Sequence, residues 1–125
     1  MSRTNERKKV FNNLLSQYFP SVWYQLCPVE DYPRVEYEFK QLNVDNIPYE
    51  KFLLTLNCYC KGQSEVLDGY IDAMIADLDK SIRYTDAEYY QFFYGKDRQP
   101  IPEADKSIKR IMLTFEVRVY VRSET

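Results

Sequence analysis

A regular alternation of side chains over residues 111–122 constrains the fold of this chain more than any other feature. Aliphatic or aromatic side chains occupy every odd position from Ile111 to Val121, and the even positions are mainly polar. Successive side chains of a β-strand point to opposite faces of a sheet. The segment is therefore predicted to be a long strand with one buried face and one largely polar face.

Two other segments alternate with the same period and predict further strands. They cover residues 34–40 and 50–60, and residues 21–27 are rich enough in β-forming residues to predict a short strand. Strands with this pattern are buried on one side only, which favours an antiparallel sheet with one covered face.

Two segments carry apolar residues at helical spacing and predict the helices that cover this face. The first is residues 4–18, ended by Pro20, and the second is residues 65–82, with Ser64 as its N-cap. The expected fold class is α+β, with a mainly antiparallel sheet of about four to five strands and two helices packed on one face. A length of 125 residues fits a single domain over 1–125.

The two faces of this sheet are expected to differ. Six side chains are predicted to be deeply buried between the sheet and the helices: Leu54, Leu56, Ile71, Ile75, Phe115 and Val117. The other face is predicted to be mixed in charge and to stay in water or line a wet channel. It carries Arg34, Glu36, Glu38, Lys40, Lys51, Arg110, Glu116, Arg118 and Arg122.

An aromatic arm at about residues 84–106 is the most unusual local feature. Its aromatic cluster at residues 89–94 contains Tyr89, Tyr90, Phe92, Phe93 and Tyr94, and a predicted turn at residues 95–97 follows it. On a strand these side chains would face both ways, so the arm is either sandwiched in the core or meets a partner. We predict a protein interface at these five residues. Core packing alone and base stacking on single-stranded nucleic acid are the alternatives.

Charge is segregated along the chain. Residues 65–88 carry two basic and seven acidic side chains, whereas residues 96–110 carry five basic and three acidic ones. Such segregation is either chance or a sign that copies pair electrostatically, with a basic patch of one copy on an acidic face of the next. The net charge of −2 argues against a protein whose main role is to grip nucleic acid.

The composition excludes several classes of enzyme. The sequence has no histidine, which excludes histidine bases, histidine-containing triads and histidine metal sites, and its three glycines form no phosphate-binding loop. The odd set of Cys27, Cys58 and Cys60 is a poor disulfide framework and lacks zinc-site spacing. We expect no enzymatic activity, no cofactor, no metal and no membrane-spanning segment.

Three segments together resemble the small tail-terminator (tail completion, head–tail joining) proteins of tailed bacteriophages and prophages. They are residues 52–60 (FLLTLNCYC), the amphipathic helix of residues 65–82, and residues 111–120 (IMLTFEVRVY). The resemblance is one of element order over roughly residues 8–122. It carries no signature residue set and no catalytic residue.

This resemblance implies a protein that assembles as a hexameric ring at the end of the tail tube, stops its polymerisation and joins it to the head. Its partners would be further copies of itself, the tail tube protein and the head-connector protein, with DNA passing through only as cargo. It would reside in the virion, at the tail or neck, after assembly in the host bacterial cytoplasm. The alternative is a small monomeric or dimeric protein-binding adaptor without enzymatic activity.

Overall fold

The computed structural model describes residues 3–26, 32–42, 49–62, 64–78, 83–85 and 89–121. Two helices and six strands follow one another in the order α1 (Arg3–Leu15), β1 (Val22–Tyr24), β2 (Arg34–Leu42), β3 (Glu50–Lys61), α2 (Ser64–Leu78), β4 (Arg83–Thr85), β5 (Tyr89–Ile101) and β6 (Ile108–Val121).

The six strands form one sheet in the order β1-β2-β3-β6-β5-β4. Neighbouring strands are antiparallel except for β1 and β2, which are parallel. Four long strands make the body of the sheet, and β1 and β4, of three residues each, add to its two edges. The predicted α+β class with a mainly antiparallel sheet is confirmed.

Both helices pack on the same face of the sheet, as predicted. The ring of Phe11 in α1 packs edge-on against Phe39 of β2 and Phe93 of β5, with centroid distances of 5.1 and 6.3 Å. Helix α2 buries Leu67, Ile71, Met74 and Leu78 in the same cluster. The apolar stripes of the two helices thus cover the inner faces of the four long strands.

The inward facing of β3 and β6 follows the sequence pattern. Leu54 is paired with Phe115 and Leu56 with Leu113, so the apolar positions of both strands share one face. Of the six side chains predicted to form the core, Leu54, Leu56, Ile71, Phe115 and Val117 are buried, and Ile75 is partly buried against them.

The first helix ends three residues earlier than the sequence predicts. Helix α1 ends at Leu15, and residues 16–18 continue as a tight turn in which the Tyr18 N–H donates to the Leu15 carbonyl. Residues 79–82, where α2 was expected to end, lie outside the described residues, as does Cys27. Neither helix of the described chain combines the length and apolarity that crossing a bilayer requires.

The predicted turn at residues 95–97 is wrong. Strand β5 runs through this point to Ile101 and stays paired with β6, and the irregularity is a β-bulge between Gly95 and Asp97. A bulge absorbs one extra residue without ending the strand. Glycine tolerates the irregular backbone of a bulge because it has no side chain. The chain reverses later, at residues 102–107, where the Asp105 carboxylate accepts hydrogen bonds from the backbone N–H and hydroxyl of Ser107.

Candidate functional site

The sheet face opposite the helices is the candidate functional site, and we call it the open face. Among the described residues, neither helix packs on it. Its side chains come from β2, β3, β5 and β6 and include every charged residue that the sequence placed there, except for Arg122, which lies outside the described residues.

One group of charges on the open face surrounds Glu116 of β6, and we call it the Glu116 group. Arg118 donates its Nε–H to Glu116 Oε2 at 2.6 Å, and the ammonium groups of Lys51 and Lys96 lie 3.4 and 3.5 Å from Oε1. Glu116 is 7% exposed, while its three partners keep part of their side chains in solvent. The group therefore combines three cations with one carboxylate.

The carboxylate of this group stays ionised. Burial opposes its ionisation, but the Arg118 hydrogen bond and the positive charges of Arg118, Lys51 and Lys96 outweigh burial and hold the pKa of Glu116 below its usual range. The hydrogen bond to Glu116 in turn raises the pKa of Arg118.

Tyrosine rings flank Arg118. Its guanidinium carbon lies 4.6 Å from the ring centroid of Tyr94 and 5.3 Å from that of Tyr49. Tyr120 contacts Tyr49 and Phe92 at centroid distances of 4.9 and 5.6 Å. This end of the open face is therefore a half-buried aromatic surface with an arginine held in it.

A second group at the far end of the face repeats this arrangement around Tyr59. Arg34 donates its Nε–H to Glu36 at 2.8 Å, and its guanidinium lies 4.3 Å from the Tyr59 ring and 4.7 Å from the Tyr32 ring. Arg110, whose guanidinium donates twice to the Asn57 side-chain oxygen, lies 5.7 Å from the Tyr59 ring. Sequence reasoning placed the charged residues on this face but missed both arginine–tyrosine groups.

The structure divides the five predicted interface residues. Phe92 and Tyr94 lie on the open face and are half-buried. Phe93 faces the helices, is 0% exposed, and packs against the rings of Phe11 and Phe115. The side chains of Tyr89 and Tyr90 lie outside the described residues. Direct contact with a partner is therefore open to Phe92 and Tyr94 and closed to Phe93 in the folded chain.

The acidic and basic segments contact each other within the described residues. Arg98 of β5 contacts Asp72 and Asp68 of α2, with N–O distances of 2.8 and 3.6 Å. These side chains are well exposed, so the pairs contribute little to stability. They tie the β5–β6 hairpin to α2.

The described residues hold no group of three histidine, cysteine or acidic side chains that could bind a metal ion. Cys58 and Cys60 are buried on the helix-covered face, as their alternation in the sequence predicted. Burial raises the pKa of the Cys58 thiol well above its usual value, which keeps it protonated and unreactive at neutral pH.

Glu116→Gln is expected to destabilise the protein at pH 7 and to have a smaller effect in acid. The folded-state pKa of Glu116 is lowered, so its stabilising contribution is fully present above the unfolded value of about 4.3 and is lost as the pH falls through the folded value. Urea unfolding of both proteins from pH 7 to pH 3 measures the difference. A difference in free energy of unfolding that stays constant over this range would contradict the assignment.

Comparison with known proteins finds a solved structure with a similar fold but assigns the chain to no protein family. No protein-family model matches the sequence, and no curated protein matches it. Among solved structures, a chain of the virion of a native gene transfer agent (GTA) particle is similar, with a TM-score of 0.56 and 12% sequence identity. The similarity covers 88% of this chain and 84% of that chain. The two chains therefore share a fold over nearly their whole lengths.

Proposed function

We propose that this chain, acting as one domain, is a structural protein of a phage-type virion that forms a ring at the end of the tail tube. In this role it stops polymerisation of the tube and joins tail to head, with DNA passing through the ring. Its partners are further copies of itself, the tail tube protein and the head-connector protein. It is assembled in the host bacterial cytoplasm and remains at the tail or neck of the particle.

The observation that carries this proposal is the fold shared with a virion chain over most of both chains. The element order of this chain is also what makes its sequence resemble tail terminators. The open face adds to it, because its described side chains form a broad polar and aromatic surface on which no set of reactive groups converges, and such a surface suits contact rather than catalysis. We accordingly propose a non-enzymatic role that needs neither metal nor cofactor.

Electron microscopy of the tails made by the source particle, with and without this chain, tests the proposal. With the chain, tubes of one length should carry a ring at the end that joins the head. Without it, tubes should vary in length and stay headless. Tubes of normal length that join heads in its absence would overturn the proposed function.

The aromatic end of the open face is proposed to contact a neighbouring copy or the tail tube. Tyrosine and other aromatic side chains are enriched at the centres of protein interfaces, and here Phe92 and Tyr94 are half-buried next to Tyr120 and Arg118. Phe92→Ser combined with Tyr94→Ser is expected to reduce tail capping at least tenfold, scored as the fraction of tubes that carry a ring.

The control for this variant replaces two exposed apolar side chains away from the open face, Leu26→Ser with Val66→Ser. The melting temperatures of both variants show whether they are folded. If the folded Phe92 and Tyr94 variant caps tails as well as the unchanged chain, the interface lies elsewhere. Loss of capping in the control alone would move the interface to its two positions.

The alternative is a small protein-binding adaptor, monomeric or dimeric, without enzymatic activity. It would use the same aromatic surface but would form no ring on tail tubes. Mass measurement of the chain after mixing with purified tail tubes separates the two proposals, because only the ring subunit would be recovered on the tubes in several copies.

A further inference from the structure

We propose that the Glu116 group, formed by Lys51, Lys96, Glu116 and Arg118, is a contact site for the phosphate backbone of duplex DNA. The inference rests on the proposed function in one respect, namely that a ring at the tail end has DNA passing through it. The site itself is argued from the geometry of the open face.

The local charge of the group favours an anion. Three cations surround one carboxylate, at 2.6 Å for Arg118 and at 3.4 and 3.5 Å for Lys51 and Lys96. An excess of positive charge remains after the carboxylate is neutralised. It lies at the border of the Phe92 and Tyr94 surface proposed above to contact a protein, on a face that no helix of the described chain covers. Part of each cation's side chain stays in solvent there, so an approaching phosphate can reach it.

The hydrogen-bonding state of Arg118 favours a phosphate in particular. Only its Nε–H is used, in the bond to Glu116, and its two terminal amino groups donate to no acceptor in the described part of the chain. The flanking rings of Tyr94 and Tyr49 restrict the plane of the guanidinium. A fixed guanidinium with two outward amino groups matches the oxygens of a phosphodiester, and the two lysines add point charges beside it.

The rest of the molecule makes this contact weak, which suits DNA that must move. The chain has a net charge of −2, so attraction to DNA is confined to a local patch. At the other end of the face, each arginine is paired with a carboxylate. Arg34 lies 2.8 Å from Glu36, and Arg110 lies 3.5 Å from Glu103. On this face the positive charge of the Glu116 group is not fully balanced, and a patch of this size touches the backbone without gripping it.

Binding of a fluorescent 30-base-pair duplex to the purified full chain, measured by anisotropy from 20 to 200 mM salt, tests the site. The net excess of two positive charges predicts a slope of about −1.8 for the logarithm of affinity against the logarithm of salt concentration. The variant Lys51→Gln, Lys96→Gln, Arg118→Gln is expected to lower affinity at 20 mM salt at least tenfold and to flatten the slope.

A matched control changes the net charge by the same amount outside the group: Lys9→Gln, Lys106→Gln, Lys109→Gln, three exposed lysines. It is expected to bind nearly as well as the unchanged chain. If the control loses as much affinity as the Glu116-group variant, binding reflects net charge alone and the site is wrong. No binding by the unchanged chain at 20 mM salt would also overturn it.

Glu116→Gln provides a test of the opposite sign. It removes the only carboxylate of the group and leaves its three cations, so DNA affinity is expected to rise several-fold even though the protein loses stability at neutral pH. A variant that is folded, as judged by circular dichroism, and binds DNA no better than the unchanged chain would contradict the proposed role of the group.

A competition experiment tests whether the partner of the Glu116 group is DNA or an acidic protein surface. Polyglutamate at equal charge concentration should displace the duplex poorly, because it lacks phosphate oxygens. Displacement as effective as that by unlabelled duplex would overturn the assignment to DNA. The DNA-binding result is independent of tail capping. If the chain caps tails but binds no DNA, only this inference is wrong. If it binds DNA but caps no tails, the proposed function is wrong.

Discussion

Phe93→Ala is expected to lower the free energy of unfolding by about 3–5 kcal/mol. The Phe93 side chain is 0% exposed and its ring packs edge-on against Phe11 of α1 and Phe115 of β6, with centroid distances of 6.3 and 6.4 Å. Removing it would leave a cavity where a helix meets two strands of the sheet. Neither the helix nor the paired strands can collapse fully into that space.

The neighbouring residue on the same strand provides the control for this prediction. Phe92 faces the open side, is half-buried and touches Tyr120. Phe92→Ala is therefore expected to cost well under half as much as Phe93→Ala. Urea unfolding of the two variants measures both costs. Equal losses would mean that the open face is covered as fully as the core and would contradict the facing of β5.

The facing of β3 and β6 could be predicted from the sequence because each apolar side chain alternates with a more polar one over a long segment. A slip of one residue would expose every member of such a set, so burial of one member fixes the others. Leu54 and Phe115 illustrate this, since both are buried as predicted and stand opposite each other in the register. The two helices could be predicted in the same way, because apolar residues recur in them at helical spacing.

The course of β5 could not be predicted with the same rules. Residues 95–97 (Gly-Lys-Asp) are a local turn signal, and they led to a predicted turn. In the fold, pairing with β6 carries the strand past Gly95, and a bulge there takes up the irregularity. Long-range pairing outweighed the local signals.

The candidate site was predicted in outline and missed in detail. The spacing of Arg34 with Glu36, and of Glu116 with Arg118, places each pair on one strand face and can be recognised in the sequence. The approach of Lys51 and Lys96 to Glu116 depends on the register of β3 and β5 against β6. Register between distant segments is set by the whole fold, and no local pattern encodes it.

A buried polar contact in the core was missed altogether. Arg7 of α1 is 1% exposed and donates from Nη1 to the side-chain oxygen of Gln91 at 2.6 Å, and Gln91 itself is 0% exposed. The guanidinium also lies 5.9 Å from the Phe11 ring and 6.0 Å from the Phe52 ring. Helical spacing gave a signal, because Arg7 precedes Phe11 by four residues and so lies on the apolar stripe of α1.

Gln91→Leu is expected to lower the free energy of unfolding by about 2–3 kcal/mol, the usual cost of depriving a buried charged group of a hydrogen bond. The leucine fills most of the space of Gln91 but cannot accept from Arg7, so the guanidinium would keep its desolvation cost with less compensation. The double variant Arg7→Met, Gln91→Leu removes the charge as well and is expected to recover most of the loss. The second single variant is Arg7→Met. Urea unfolding of the unchanged chain, the two single variants and the double variant completes a double-mutant cycle for this pair. Additive losses would show that Arg7 and Gln91 act independently and would contradict the assigned coupling between α1 and β5.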